Sequence, residues 1–265
     1  MSNTPRLYAK AVTLAYERRV ISEKLSVAIP DGSFTVIVGP NASGKSTLLR
    51  ALARLLPPSS GQIVLDGKEI GKRAAKAVAS RIGLLPQSSI APEGISVFDL
   101  VSRGRYPHQS FLRQWSKADE AAVWQAMELT GIADLAARPV DELSGGQRQR
   151  VWIGMVLAQE TPILLLDEPT TFLDIAHQIE LLDLCQYLSR HCGRTLVAVL
   201  HDLNHACRYA THIIAMRDGT IVAEGEPATI ITSPLVEDVF GLSCMIIDDP
   251  ISATPLIVPR SKPRG

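Results

Sequence analysis

Two short stretches carry residue types that can handle phosphate. The first is Gly39-Pro40-Asn41-Ala42-Ser43-Gly44-Lys45-Ser46, which fits the spacing G-x-x-x-x-G-K-[ST]. Glycines let the backbone wrap closely, so successive amide N–H groups can point inward at phosphate oxygens. A helix opening at Ser46 and running on through Thr47 adds its positive N-terminal end. Lys45 can reach the β- and γ-phosphates of a nucleoside triphosphate as a point charge, and the Ser46 hydroxyl is a hard oxygen donor suited to Mg²⁺. The pattern alone is also met by a Gly-rich turn ahead of any helix. The strand before it and the helix after it favour the phosphate cradle.

The second stretch is Ile163-Leu164-Leu165-Leu166-Asp167-Glu168, an aliphatic strand ending in two adjacent carboxylates. Ligands of open α/β sheets bind at the carboxyl ends of strands, so these acids are expected to face the same crevice as the cradle. Alternation along the strand sends them to opposite sides and allows two jobs. Asp167 can hold Mg²⁺ through its water shell, and Glu168 can polarise an attacking water as general base. Taken alone, the pair is better read as an acidic strand end feeding a turn at Pro169; the cradle gives it meaning.

The elements that must position these groups are legible in the apolar pattern. Residues 34–38 read as a buried strand running straight into Gly39, followed by a helix over 46–56 stopped by Pro57-Pro58. Period-two stretches at 7–16, 25–29 and 62–65 predict further strands, with turns at Asp31-Gly32 and Asp66-Gly67. Residues 95–159 read as mainly helical, with Ser116 and Asp134 as caps and a 3.6-residue pattern through Val123, Met127 and Leu129. Two aliphatic strands follow at 163–166 and 195–200, separated by a helix around 179–188. That alternation implies an α/β fold with a parallel sheet covered on both faces. A hairpin is expected at Asp218-Gly219. The tail after Pro250 holds three more prolines and is expected to be loose.

Bulk composition narrows the function classes. Lys+Arg and Asp+Glu each number 27, and this neutral total argues against a large basic surface for nucleic acid or anionic lipid. Four cysteines without a CxxC pair (Cys185, Cys192, Cys207, Cys244) point to reduced, mostly buried thiols in a chain of 265 residues. The start MSNTPRLYAK lacks the apolar core of a signal peptide, and the longest aliphatic run, 163–166, is too short to cross a bilayer. A cytosolic chain is expected, linked to a membrane only through a partner.

Leu143-Ser144-Gly145-Gly146-Gln147-Arg148-Gln149-Arg150 opens another helix, over 147–157, and so presents a second set of free N–H groups. Spacing alone leaves open that this helix start merely caps itself. The stretch resembles the signature of the ABC (ATP-binding cassette) family, and the order cradle, glutamine loop, signature, acidic strand, histidine is that family's order. The resemblance runs from Tyr16 to about Gly225. It implies a P-loop NTPase core (about 1–92 and 160–248), an antiparallel β subdomain and an inserted α-helical signature subdomain (about 93–159), all in one ABC ATPase domain. It also implies ATP and Mg²⁺ as ligands, and two copies paired head to tail, with Ser144, Gly145, Gly146 and Gln147 of each closing on the ATP held by the other.

Other roles carry over with the resemblance. Tyr16 matches the aromatic that stacks on adenine, the alternative being a strand aromatic in the core. Gln87 matches the glutamine that senses Mg²⁺ and the γ-phosphate, His201 the switch histidine, and Asp174 the acidic loop that crosses the dimer interface. His201 and His205, four apart, would suit a metal pair on a helix, but a strand end at His201 separates their geometry. Phe172 is bulkier than the residue often found beside that loop, and Ala42 stands where a glycine is frequent.

The stretch after the glutamine loop, Val97 onward through Arg103-Gly104-Arg105-Tyr106-Pro107-His108 with Phe111 and Trp115, resembles the ferric siderophore, haem and vitamin B12 importer ATPases, and most of all the siderophore branch. The resemblance implies a surface that receives a short helix of a membrane permease; a solvated loop beside a helix is the plainer alternative. It implies a peripheral subunit at the cytoplasmic face of the inner membrane, linked through the permease to a substrate-binding protein. Chromosome-maintenance ATPases with the same cassette insert a long coiled coil, and no sustained heptad run exists here. Translation-associated ones carry two cassettes and basic extensions, which this neutral single cassette lacks.

Overall fold

The computed structural model describes residues 4–17, 19–87, 90–109 and 115–261 of the chain. These divide into two compact units, residues 1–72 with 195–265 and residues 73–194.

In the first unit the strand Phe34–Val38 is buried along its whole length, as its unbroken apolar run requires. It pairs in parallel with Thr195–Val199 on one side and His212–Arg217 on the other, and the latter turns at Asp218-Gly219 into the antiparallel strand Thr220–Gly225. A second, antiparallel sheet orders Arg19–Ile29, Leu7–Tyr16, Ser60–Leu65 and Lys68–Glu69. The helix Lys45–Leu52 packs on Leu7–Tyr16 and Thr195–Val199, with Leu48, Leu49 and Leu52 fully buried. It ends four residues before the expected limit, and the prolines do not stop it. Arg54 adopts a left-handed φ of 64°, so that Leu55 N–H reaches Arg50 O and Arg54 N–H reaches Ala51 O. This Schellman closure satisfies the last carbonyls before Pro57 is reached.

The expectation of a loose tail from 250 is corrected over Pro255–Pro259, which forms an antiparallel pair with Cys244–Asp248. Asp249 accepts from the N–H groups of Ile251 and Ser252 in the connecting turn, and Asn204 exchanges hydrogen bonds with both sides of the Ile257 peptide. The prolines sit at the ends of an outer strand, where a missing N–H breaks no interior ladder.

In the second unit Ile82–Leu85 and Ile163–Asp167 pair in parallel. The helices Val97–Ser102, Lys117–Leu129 and Gly145–Ala158 pack on one another. Ser116 caps the second of these through a full capping box with Asp119. The other expected cap is corrected: Asp134 lies inside a single 3₁₀ turn, Ala133–Leu135, and starts no helix. The helix Ile175–Cys192 is longer than expected because Asp174 caps its start and Gly193, with φ 62°, closes its end.

No helix among the described residues is long and apolar enough to cross a membrane. Cys185, Cys207 and Cys244 are buried and Cys192 is exposed, and none is in a disulfide.

Candidate functional site

The cradle is built where Phe34–Val38 ends. Gly39 has φ +154°, and a Cβ there would lie 2.1 Å from the Met216 carbonyl oxygen and 2.8 Å from Ser43 Oγ, so only glycine lets the loop pass that close to the neighbouring strand. Gly44, at φ +99°, is the N-cap of Lys45–Leu52 and makes no side-chain cap hydrogen bond; no acidic residue stands in the first turn either. With no carboxylate of its own in the first turn, the positive helix end suits an anionic ligand. Ala42 adopts φ 64°, which explains why a glycine suits this position: alanine costs about 1 kcal/mol in the left-handed region. Lys45 is buried, and its ammonium donates to the carbonyls of Gly39 (2.9 Å) and Pro40 (2.8 Å), which aims it along the inside of the loop. Ser43 Oγ is buried with no partner among the described residues. Such an orphan costs about 1–3 kcal/mol and fits a site completed by phosphate oxygens.

Two further residues of this unit bear on the cradle. Tyr16 ends its strand with 40% of its surface exposed, and its hydroxyl accepts a 3.5 Å hydrogen bond from Arg50 of the cradle helix. An open ring beside that helix suits base stacking and excludes the core alternative. His201 is exposed just past Thr195–Val199. The parallel register matches Ile37 to Val199, and Leu200 N–H donates to Ile37 O, so His201 stands level with Gly39. His205 lies in the following helix, Leu203–Tyr209, which Asp202 caps. Among the described residues no group of three or more His, Cys, Asp or Glu side chains is placed to hold a metal.

The second unit carries the carboxylates, the glutamine and the signature. Asp167 is buried at its strand end. Glu168 follows with φ 54°, a left-handed conformation costing about 1 kcal/mol that turns its half-buried carboxylate off the strand line. Thr171 holds it twice, donating N–H to Glu168 O (3.2 Å) and Oγ1–H to Glu168 Oε2 (3.5 Å). The register Leu85 to Leu166, carried two residues further, sets exposed Gln87 level with Glu168. Both line a cleft of about 450 Å³ together with Gly145, Arg148, Thr171 and Phe172. Glutamine, general-base candidate and signature are thus brought together within this one unit.

At the signature, Ser144 Oγ accepts from Gln147 N–H and Gln147 Oε1 accepts from Ser144 N–H, so the helix start does cap itself. No steric clash among the described residues, however, requires its glycines. Added Cβ atoms would meet Phe172 at 3.6 Å from Gly145 and 3.5 Å from Gly146, both ordinary contacts. Asp174 likewise acts locally, accepting from His177 N–H (3.0 Å) and the His177 ring (2.8 Å), which hold its carboxyl below the ordinary carboxylate range. Phe172 has no role in the site by its sequence alone. It is 75% exposed at φ 68° and walls the cleft, although only its bulk marked it in the sequence.

The expected docking stretch is corrected at one residue. Arg105 is 3% exposed and cannot reach a partner; its guanidinium is bound to Asp119 (2.9 Å) and Glu160 (2.7 Å). Its type suggested an interface anchor, but acids 14 and 55 residues away draw it inside. Tyr106 is 70% exposed and lines an open groove of about 600 Å³ with Asp99, Ser102, Arg103, Gln109 and Trp115. Phe111 lies outside the described residues.

Comparison with known proteins agrees with this geometry. The profile of the ABC transporter family matches residues 22–171, more than half of the chain and the stretch that spans cradle, signature and acidic strand. The chain belongs to the ABC transporter family. The cassette is 59% identical to the ferric enterobactin transport ATP-binding protein of Escherichia coli K12, over 97% of this chain and 95% of that one. It is 53% identical to the achromobactin transport ATP-binding protein of Dickeya dadantii, over 97% and 96%. Among solved structures, a transporter described as of metal-chelate type, in an inward-facing conformation, matches with a TM-score of 0.82 at 28% identity, covering 97% of this chain and 98% of that one. A dimeric ATP-binding cassette in a post-hydrolysis state with ADP and phosphate matches at 0.75 and 27%, covering 83% and 98%. The cassette is an ATPase with the P-loop NTPase fold.

Proposed function

We propose that this cassette powers the import of ferric siderophores through a membrane permease. The observation that carries the cargo class is the 59% identity, across nearly the whole length of both chains, to a ferric enterobactin transport ATP-binding protein. As a single ABC ATPase domain, with a core of about 1–92 and 160–248 and a helical part of about 93–159, it would act as a homodimer at the cytoplasmic face of the inner membrane, with a substrate-binding protein beyond the permease.

In this reading residues 39–47 hold the triphosphate, with Lys45 on its β- and γ-phosphates, and Tyr16 stacks on the adenine. Ser46, Gln87 and Asp167 offer hydroxyl, amide and carboxylate oxygens, a hard donor set that suits Mg²⁺, which when bound neutralises phosphate charge. Glu168 takes a proton from water as the water oxygen bonds to the γ-phosphorus and the bond to the bridging oxygen breaks, releasing ADP and phosphate. His201 orients the γ-phosphate. Ser144, Gly145, Gly146 and Gln147 serve the nucleotide of a second copy, with Asp174 at the junction; two helix-start glycines that no steric clash among the described residues requires support this. Arg103, Tyr106 and Trp115, around an open groove, have the aromatic and arginine character of interface anchors and would receive the permease.

Tyr106→Ala tests the docking reading. Losing such an anchor costs about 2 kcal/mol, or roughly thirtyfold in affinity, so the variant should lose its permease on detergent purification while its own ATPase rate is unchanged. Full retention of the permease would refute it.

A further inference from the structure

We infer that Arg105 is a positioning residue, which with His108 clamps the groove-forming turn onto the far end of the signature helix so that events at the groove reach the signature. The inference rests on the docking reading above. The turn Arg103–His108 is a 3₁₀ element, in which residues three apart share a face. Arg103 and Tyr106 form one such pair and line the groove. Arg105 and His108 form the other, and both reach the C-terminal end of Gly145–Ala158.

That end is where helix carbonyls lack intrahelical partners. Arg105 Nη1 donates to Ala158 O at 2.6 Å, and His108 Nε2 lies 2.7 Å from Gln159 O. Gly104 makes the approach possible, since a Cβ there would stand 2.2 Å from the Met155 carbonyl oxygen. The guanidinium is fixed from behind. Asp119 Oδ1 takes its Nε–H while Asp119 Oδ2 accepts from the Ser116 N–H and hydroxyl, so the carboxylate that caps Lys117–Leu129 also aims Arg105. Glu160 binds Nη1. The signature helix is 14 residues long, a rod of about 21 Å with Ser144 at one end and this clamp at the other. A displacement of the turn is therefore carried by hydrogen bonds and backbone contact into the helix that presents Gly145 and Gly146.

The test uses the cassette alone and assembled with its permease and binding protein. Arg105→Lys keeps the charge but loses the fork that binds Asp119, Ala158 O and Glu160 together. The isolated variant should hydrolyse ATP at the wild-type rate and KM and should still retain its permease. Stimulation of hydrolysis by the assembled, cargo-loaded transporter should fall at least about threefold, within the roughly two- to thirtyfold range of coupling positions. A merely structural role would lower isolated and stimulated rates in proportion, and that result, or wild-type stimulation, overturns the clamp. If Arg105→Lys is too unstable to assemble, His108→Phe, which removes only the Gln159 contact, decides by the same ratio. Tyr106→Ala runs alongside: retention of its permease would sink the docking reading, whereas normal stimulation in the Arg105 and His108 variants would sink the clamp alone.

Discussion

Replacing Gly145 and Gly146 together by alanine separates what this chain needs from what a second copy needs. Both glycines lie in the first turn of Gly145–Ala158, and neither has a positive φ. The new methyl groups would touch Phe172 at 3.6 and 3.5 Å and nothing closer. Helical glycine is about 0.5–1 kcal/mol less stable than alanine, with the lower value apt for a first turn, so the double variant should gain about 1 kcal/mol. For a chain of this size that raises the Tm by about 2–4 °C. If a nucleotide phosphate of the paired copy packs against those glycines, the methyl groups occupy its space, and ATPase activity should drop at least tenfold, about 1.4 kcal/mol in the barrier. Thermal unfolding and steady-state hydrolysis on one preparation suffice. A lower Tm would refute the packing argument, and a raised Tm with full activity would refute the shared site.

Glu168→Gln should bind ATP and hydrolyse it at least about a hundredfold more slowly, accumulating as an ATP-bound dimer on chromatography, because general-base assistance is worth that much. Burial pushes the thiols of Cys185 and Cys207 up to about 12, so a thiol reagent at neutral pH should modify exposed Cys192 in the folded chain and the buried cysteines only after unfolding, as mass spectrometry would show. The Asp119 carboxyl is held below its ordinary range, first by the Ser116 hydroxyl against the cost of burial and then by Arg105. The stability it contributes is present above about pH 4 and is lost as pH falls below that, and Asp119→Asn should flatten the acid limb of a Tm profile below about pH 4.

Where local structure depends on neighbours in sequence, the residues foretell it. The strand, Gly39, Lys45 and helix of the cradle are local and come with their geometry. So does the Ser116 box, since the cap and Asp119 are three residues apart. The misplaced features depend on distant partners. Nothing near Arg105 in sequence signals burial; Asp119, Ala158 and Glu160 do it together, and only the packing of two helices brings them there. The prolines after 250 suggested a loose tail because the hairpin's support, Asn204, lies 53 residues from Ile257. Phe172 and Glu168 owe their placement to left-handed backbone in non-glycine residues, which composition does not foretell. The self-capping of Ser144 and Gln147 leaves two readings open, and the absence of any close clash at Gly145 and Gly146 favours one.

The measurement closest to the central claim is uptake of radiolabelled ferric siderophore by iron-starved cells that lack this chain and are supplied with it or with Glu168→Gln. Restoration by the unaltered chain, and none by the Glu168 variant present in equal amount, is the predicted result. Undiminished ferric siderophore uptake without the chain, with vitamin B12 or haem uptake lost in its place, would contradict the assignment of its cargo.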